Sequence, residues 1–235
     1  MRVLIISDIH GNADSLKTIV DKERFDDVWF LGDFTDYGPE PHVVYDYLRE
    51  LDPEVWIMGN HDYANAFNVD CRCGERMHDL SVYTREHVTK SLLDKEIIKR
   101  MRSIPIKREL STEVGEILFV HGCPADPLYG YMNTPKEKCL KNEIGRKINV
   151  DIIIYGHTHL PIITKFSNIK FLNPGSVGQP RDKDPRASYA IYENGRFEIK
   201  RITYDLERVV RKIKSLNLEE RYEKQLIEIL RNARV

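Results

Sequence analysis

Seven side chains in this sequence could ligate metal ions, and each lies at or just past the end of a short apolar run. Asp8 and His10 follow Val3-Leu4-Ile5-Ile6-Ser7, and Asp33 follows Val28-Trp29-Phe30-Leu31-Gly32. Asn60, with His61 beside it, follows Val55-Trp56-Ile57-Met58-Gly59. His121 follows Ile117-Leu118-Phe119-Val120, and His157 and His159 follow Ile152-Ile153-Ile154-Tyr155-Gly156. Carboxylate, amide and imidazole without thiolate suit Mn, Fe, Co, Ni or Zn rather than Cu(I) or a structural thiolate zinc. Seven ligands exceed what one ion takes. A carboxylate can bridge two cations, and two cations sharing Asp33 would each have four protein ligands. Such pairs lie about 3.5–4 Å apart and suit in-line displacement at phosphorus, because they neutralise phosphate oxygens and lower the pKa of bound water.

Short, β-branched, continuously apolar runs read as strands buried on both faces. Ligands in open α/β sheets sit beyond the carboxyl ends of such strands. Asn12 can cap a helix over Ala13 to Glu23, and a second helix spans His42 to Leu51 before Pro53. The β-α-β-α-β order favours parallel strands with right-handed crossovers. Tyr63 to Leu80 shows no clear period and reads as a long loop able to wall the site. A charged amphipathic helix is expected over Ser81 to Arg102, and a hairpin from Ile106–Leu110 and Glu116–Val120. A helix over Pro135 to Ile148 should lead into the strand after Asp151.

Beyond residue 160 the pattern changes. Lys170–Leu172, Ser188–Tyr192 and Phe197–Ile202 read as an antiparallel second sheet, with a turn at Glu193-Asn194-Gly195. Helices over Leu206–Leu216 and Leu218–Arg231 make residues 205–235 a C-terminal extension of a single domain, 1–235. The stripe of Leu206, Val209, Val210 and Ile213 is expected to pack on its own domain, with a homo-oligomer contact as the alternative.

At 235 residues the chain can bury one substantial core. A net charge of −1 argues for no nucleic-acid or membrane surface. No run reaches the about 18 apolar residues of a membrane span. The start, Met1-Arg2-Val3-Leu4-Ile5-Ile6, reads as a first strand rather than a signal peptide, so a cytoplasmic location is expected. Four cysteines in a chain this long are no disulfide framework, and Cys71-Arg72-Cys73 misses the C-x-x-C spacing of zinc and redox motifs. Reduced thiols are expected.

Asp8-Ile9-His10, Gly32-Asp33-Phe34-Thr35-Asp36-Tyr37-Gly38, Gly59-Asn60-His61-Asp62, His121-Gly122 and Gly156-His157-Thr158-His159 occur in that order. Together they resemble the five blocks of the calcineurin-like metallophosphoesterase superfamily. The resemblance covers about residues 1–180. Asn173 to Arg181 further resembles a small prokaryotic branch of phosphodiesterases and phosphatases. It implies an α/β fold, a four-layer α-β-β-α sandwich of two mixed sheets with helices on both outer faces. It also implies two divalent ions, with manganese first and Fe, Ni, Co or Zn as alternatives. One would take Asp8, His10, Asp33 and His159; the other would take Asp33, Asn60, His121 and His157. Metal-bound hydroxide would attack phosphorus while His61 protonates the leaving oxygen and Asp36 orients His61.

Tyr37 stands where the serine/threonine phosphatase branch carries a phosphate-gripping arginine. Losing a bidentate clamp weakens binding of a dianionic monoester more than of a monoanionic diester. Arg181 or Arg186 could replace that clamp. Tyr37, Arg181 and Asn12 are the residues expected to face substrate. The preferred activity is a phosphodiesterase on small or cyclic nucleotides or similar diesters. The alternative is a phosphomonoesterase of the serine/threonine phosphatase type, with phosphoproteins as substrates. A non-enzymatic scaffold is disfavoured because every ligand position is filled, and a long nucleic-acid substrate because the net charge is near zero.

Overall fold

The computed structural model describes residues 1–235. Two mixed five-stranded sheets pack face to face. The first contains β1 (Arg2–Ile6), β2 (Asp27–Phe30), β3 (Val55–Trp56), β9 (Ala187–Glu193) and β10 (Arg196–Ile202), in the order β10-β9-β1-β2-β3. The second contains β4 (Lys107–Thr112), β5 (Gly115–Val120), β6 (Ile152–Ile154), β7 (Ile162–Phe166) and β8 (Ile169–Asn173), in the order β4-β5-β6-β8-β7. β1, β2 and β3 run parallel, as do β5, β6 and β8. The two parallel sets place their carboxyl ends at one edge of the sandwich.

Side chains alternate along each strand, and both faces are apolar. Val3, Ile5, Trp29 and Leu31 meet Ile117, Phe119, Ile152 and Ile154 between the sheets. Leu4, Ile6, Val28 and Phe30 face outward, under helices α1 (Ala13–Lys22) and α2 (Pro41–Leu51). Leu118, Val120, Ile153 and Tyr155 form the outer face of the second sheet, covered by Met132, Cys139 and Leu140.

Several elements differ from the sequence reading. Tyr63 to Leu80 is not a loop. It holds most of α3 (Asn60–Phe67) and the first half of α4 (Glu75–Thr84), joined by residues 68–74. These helices bury Asn60, His61, Asp62, Asn65, Ser81 and Thr84, so no apolar period marks them. The helix expected over Ser81 to Arg102 is broken. α4 passes through a π-helical turn (Arg85–Thr89) into α5 (Lys90–Leu92). Leu93 is extended, and the Asp94 carboxylate then caps α6 (Lys95–Met101) by accepting from the Ile97 amide at 2.8 Å.

The helix expected over Pro135 to Ile148 is absent, apart from a one-turn 3₁₀ helix at Glu137–Leu140. The Asn142 side chain accepts from the amides of Ile144 and Arg146, and Gly145 is left-handed at φ 77°. Such local bonds compete with a helix. The outer layer of the second sheet is therefore this short helix and irregular chain. Ser188–Tyr192 and Phe197–Ile202 do not join the second sheet. They extend the first, with β9 antiparallel to β1 and Ile5 opposite Ala190.

The C-terminal helices α7 (Leu206–Ser215) and α8 (Glu220–Asn232) pack on their own chain. Val209, Val210 and Ile213 bury against Leu226, Ile229 and Leu230, with Met77 and Leu80 of α4 and Tyr37 in the same cluster. No helix is long and apolar enough to cross a membrane.

Candidate metal centre

Five of the seven ligand-type residues sit on strand-end turns in strained backbone, as do Asp36 and Tyr37. Asp8, His10, Asp33, Asp36, Tyr37, His157 and His159 are all left-handed, with φ between 46° and 64°. Such conformations cost on the order of 1–3 kcal/mol each and persist where the surroundings over-determine them. Here Asp62 supplies much of that restraint. Its buried carboxylate accepts from the amides of Asp33, Phe34, Thr35 and Gly59 and from the Thr35 hydroxyl. Close approach also demands glycine at two places. A Cβ on Gly59 would lie 2.0 Å from Asp33 Oδ1, and one on Gly156 would lie 2.9 Å from Asp8 Oδ2.

The turns gather two buried triads, Asp8–His10–His159 and Asp33–His121–His157. Asp33 Oδ2 lies 3.0 Å from His121 Nε2 and 4.0 Å from His10 Nε2, so it reaches both groups. Asp8 Oδ1 lies 3.2 Å from His159 Nε2. Asn60 Oδ1 lies 3.2 Å from His121 Nε2, while its Nδ2 donates to the Cys71 carbonyl at 2.7 Å. All seven sequence-predicted ligand residues thus meet at one edge of the sandwich.

The donor set fits cations. His10, His121 and His159 each point Nδ1 at a backbone carbonyl, of Thr35, Leu31 and Gln179 respectively. That arrangement assigns the ring proton to Nδ1 and leaves Nε2 as a lone pair facing inward. Two such nitrogens, on His10 and His159, face each other at 3.2 Å. Asp8 Oδ1 and His157 Nε2 are buried without any hydrogen-bond partner. Buried acceptors facing acceptors repel unless positive charge lies between them. Without a cation the chain supplies a proton instead. Burial would lower the His121 pKa, but the Asp33 charge and hydrogen bond outweigh it and raise it to about 9. Burial and the His159 charge lower that of His10 to about 3, and burial holds His157 well below the usual range. Neutral imidazole is the ligating form.

His61 stands next to this centre. Its amide donates to Asp33 Oδ1 at 2.9 Å, and its Nδ1 lies 2.9 Å from Asp36 Oδ2. Burial opposes its protonation, but the Asp33 charge and the Asp36 hydrogen bond raise its pKa to about 9. Asp36 is itself enclosed. It accepts from Arg85 Nη2 at 2.8 Å, Asn65 Nδ2 at 2.8 Å and Thr89 Oγ1 at 3.2 Å. Sequence reasoning missed Arg85, Asn65, Thr89, Ser81 and the stabilising role of Asp62, because their partners lie far along the chain or on helices without an apolar period. It also missed Tyr131, whose ring sits 4.1 Å from that of His157.

Arg85 is 5% exposed, and its loss leaves the buried Asp36 charge with His61 as its one remaining cationic partner. Arg85→Ala is expected to lower the unfolding free energy by about 3–5 kcal/mol, read by urea denaturation. A change under 1 kcal/mol would mean that Asp36 is balanced by other groups.

The residues expected to face substrate fare differently. The Tyr37 hydroxyl is buried without a partner, its ring 4.9 Å from His10 and 5.0 Å from His61. Arg181 Nη2 donates to Gln179 Oε1 at 2.8 Å, while its buried Nε has no partner. Arg186 is paired with Asp184 at 2.6 Å on the surface. The Asn12 side chain is committed to the fold. It caps α1 through the Ser15 amide and donates to the Gly178 carbonyl and the Tyr204 hydroxyl.

Comparison with known proteins agrees with this architecture. A solved metallophosphoesterase from Sphaerobacter thermophilus is 28% identical, covers 99% of both chains and superposes with a TM-score of 0.79. A hypothetical protein from Pyrococcus horikoshii shares the fold at 20% identity, covering 99% of this chain and 98% of its own, with a TM-score of 0.79. The phosphodiesterase YfcE of Escherichia coli is 26% identical over 83% of this chain and 88% of its own. The family profile described as the calcineurin-like phosphoesterase superfamily domain matches residues 1–195. This chain therefore belongs to the calcineurin-like phosphoesterase superfamily and is a phosphoesterase.

Proposed function

We propose that this phosphoesterase works with two divalent cations, manganese first among them, and prefers small phosphodiesters such as cyclic or short nucleotides. The observation that carries the reading is Asp33 Oδ2, which stands between the two histidine triads. Held there, the cations would supply charge to offset the phosphoryl oxygens and would lower the pKa of water. Asp8, His10, Asp33 and His159 would hold one, and Asp33, Asn60, His121 and His157 the other. His61 protonates the departing oxygen, and Asp36 keeps the ring oriented and charged. The Tyr37 hydroxyl and Arg181 Nε, both buried and unpartnered, serve as donors to phosphoryl oxygens. Four free cysteines suit a reducing compartment such as the cytoplasm.

The diester preference rests on Tyr37. A neutral phenol offers a dianion less than a guanidinium does. YfcE, which carries the phosphodiesterase name, is a relative across most of its length. The second reading, a phosphomonoesterase, is favoured by the unpartnered Arg181 Nε. Aryl mono- and diesters assayed with Mn²⁺ decide between them. The diester is expected to show the higher kcat/KM, and a faster monoester would reverse the preference.

Asp36 controls the alkaline side of the pH profile. A general acid must be protonated, so activity falls as pH rises through its pKa. Cations held at Asp33 would offset that carboxylate's charge, which would make Asp36 the main support of the His61 proton. A hydrogen bond to a charged group is worth about 1.5–3 kcal/mol, or about 1–2 pKa units. Asp36→Asn should move the alkaline limb of kcat down by about that amount. An unmoved limb would detach Asp36 from the proton.

A further inference from the structure

Two thiols lie beside His61 and take no part in the chemistry above. Cys71 is fully buried, Cys73 is half-buried, and both are free. In an extended chain a C-x-C spacing sets the two residues roughly 6–7 Å apart. Here the intervening Arg72 is left-handed, at φ 49°, and the sulfurs approach to 2.9 Å. That conformation is unfavourable for a residue with a Cβ. The loop restrains it: the Arg72 amide donates to Asp70 Oδ1 at 2.6 Å, and its guanidinium lies 4.8 Å over the Tyr129 ring.

A third donor is already in place. A ring nitrogen of His61 lies within 4.8 Å of both sulfurs. Ser81 Oγ adds an oxygen, 3.4 Å from Cys71 Sγ and 3.2 Å from His61 Nδ1. Two sulfurs and an imidazole form a soft set, unlike the oxygen and nitrogen donors of the neighbouring centre.

We propose that Cys71, Cys73 and His61 form a third cation site, selective for a thiophilic ion such as Zn²⁺, Cd²⁺ or Cu⁺, whose filling inhibits the enzyme. The inhibitory consequence rests on the reading of His61 as the general acid. Each thiol releases its proton to solvent as its sulfur–metal bond forms, and His61 likewise releases a ring proton to solvent and gives that nitrogen's lone pair to the ion. The ring then delivers no proton to the leaving oxygen. Zn–S bonds of about 2.3 Å at a tetrahedral angle set sulfurs about 3.8 Å apart. The half-buried Cys73 can swing outward to reach that spacing.

The test is a Cd²⁺ titration of the manganese-loaded protein, following sulfur-to-cadmium charge-transfer absorption, bound manganese and turnover together. One further equivalent should bind with that absorption, manganese should stay, and turnover should fall at least tenfold. Cys73→Ser should keep its manganese-supported turnover, lose the absorption and resist inhibition. Cys71→Ser, checked for folding by circular dichroism, should lose the absorption too. Cadmium that displaces manganese without sulfur absorption overturns the proposal, as does equal inhibition of Cys73→Ser. Absorption reads the site even in a protein that turns over no substrate, so its failure is separable from failure of the phosphoesterase reading.

Discussion

His61→Ala is expected to lower kcat by about 10²–10⁴-fold on an alkyl phosphodiester, with metal content unchanged. The ring is held at both ends of its residue, by Asp36 at Nδ1 and by Asp33 at the backbone amide, each at 2.9 Å. Removing the imidazole leaves those two carboxylates and the triads in place. The loss should shrink for a p-nitrophenyl ester, whose leaving oxygen departs without a proton. Parallel kcat measurements with both leaving groups, alongside elemental analysis for manganese, check this. An equal loss on both substrates would make His61 a binding residue rather than an acid.

Asp33→Asn should be more damaging still. The amide keeps an oxygen able to accept from the His61 amide but removes the charge that faces His121 and His10. Cations contribute several kcal/mol of charge stabilisation at the transition state, so losing one or both should cost about 10³-fold or more in kcat. The same variant should lose its manganese-dependent thermal stabilisation. A ligand at 100 times its Kd adds about 2.7 kcal/mol to a native state that alone binds it. Differential scanning calorimetry with and without Mn²⁺ reads that term. A variant that keeps the full rise in Tm and two ions would show that Asp33 is no bridge.

The ligand residues were legible because of where their strands are buried. β1, β2, β5 and β6 are covered on both faces, so each reads as an unbroken apolar run that ends abruptly at a ligand. The support around His61 was not legible for the opposite reason. α3 and α4 bury polar side chains toward Asp36 and Asp33, which erases the apolar period that reveals a helix. Arg85 lies 49 residues from Asp36, and nothing local to either residue announces the pair. The thiol pair was set aside as a metal motif because C-x-C is a poor chelate in extended chain, and only the left-handed Arg72 makes it one. Strand patterning identified β9 and β10 as strands but held no information on which sheet they would join. The Asn142 turn defeated an otherwise reasonable helix expectation.

Anomalous scattering from crystals grown with manganese tests the central claim most directly. Two peaks should appear about 3.5–4 Å apart, with the Asp33 carboxylate contacting both and imidazoles of both triads completing the shells. A single peak, or a pair with the Asp33 carboxylate touching only one member, would contradict it.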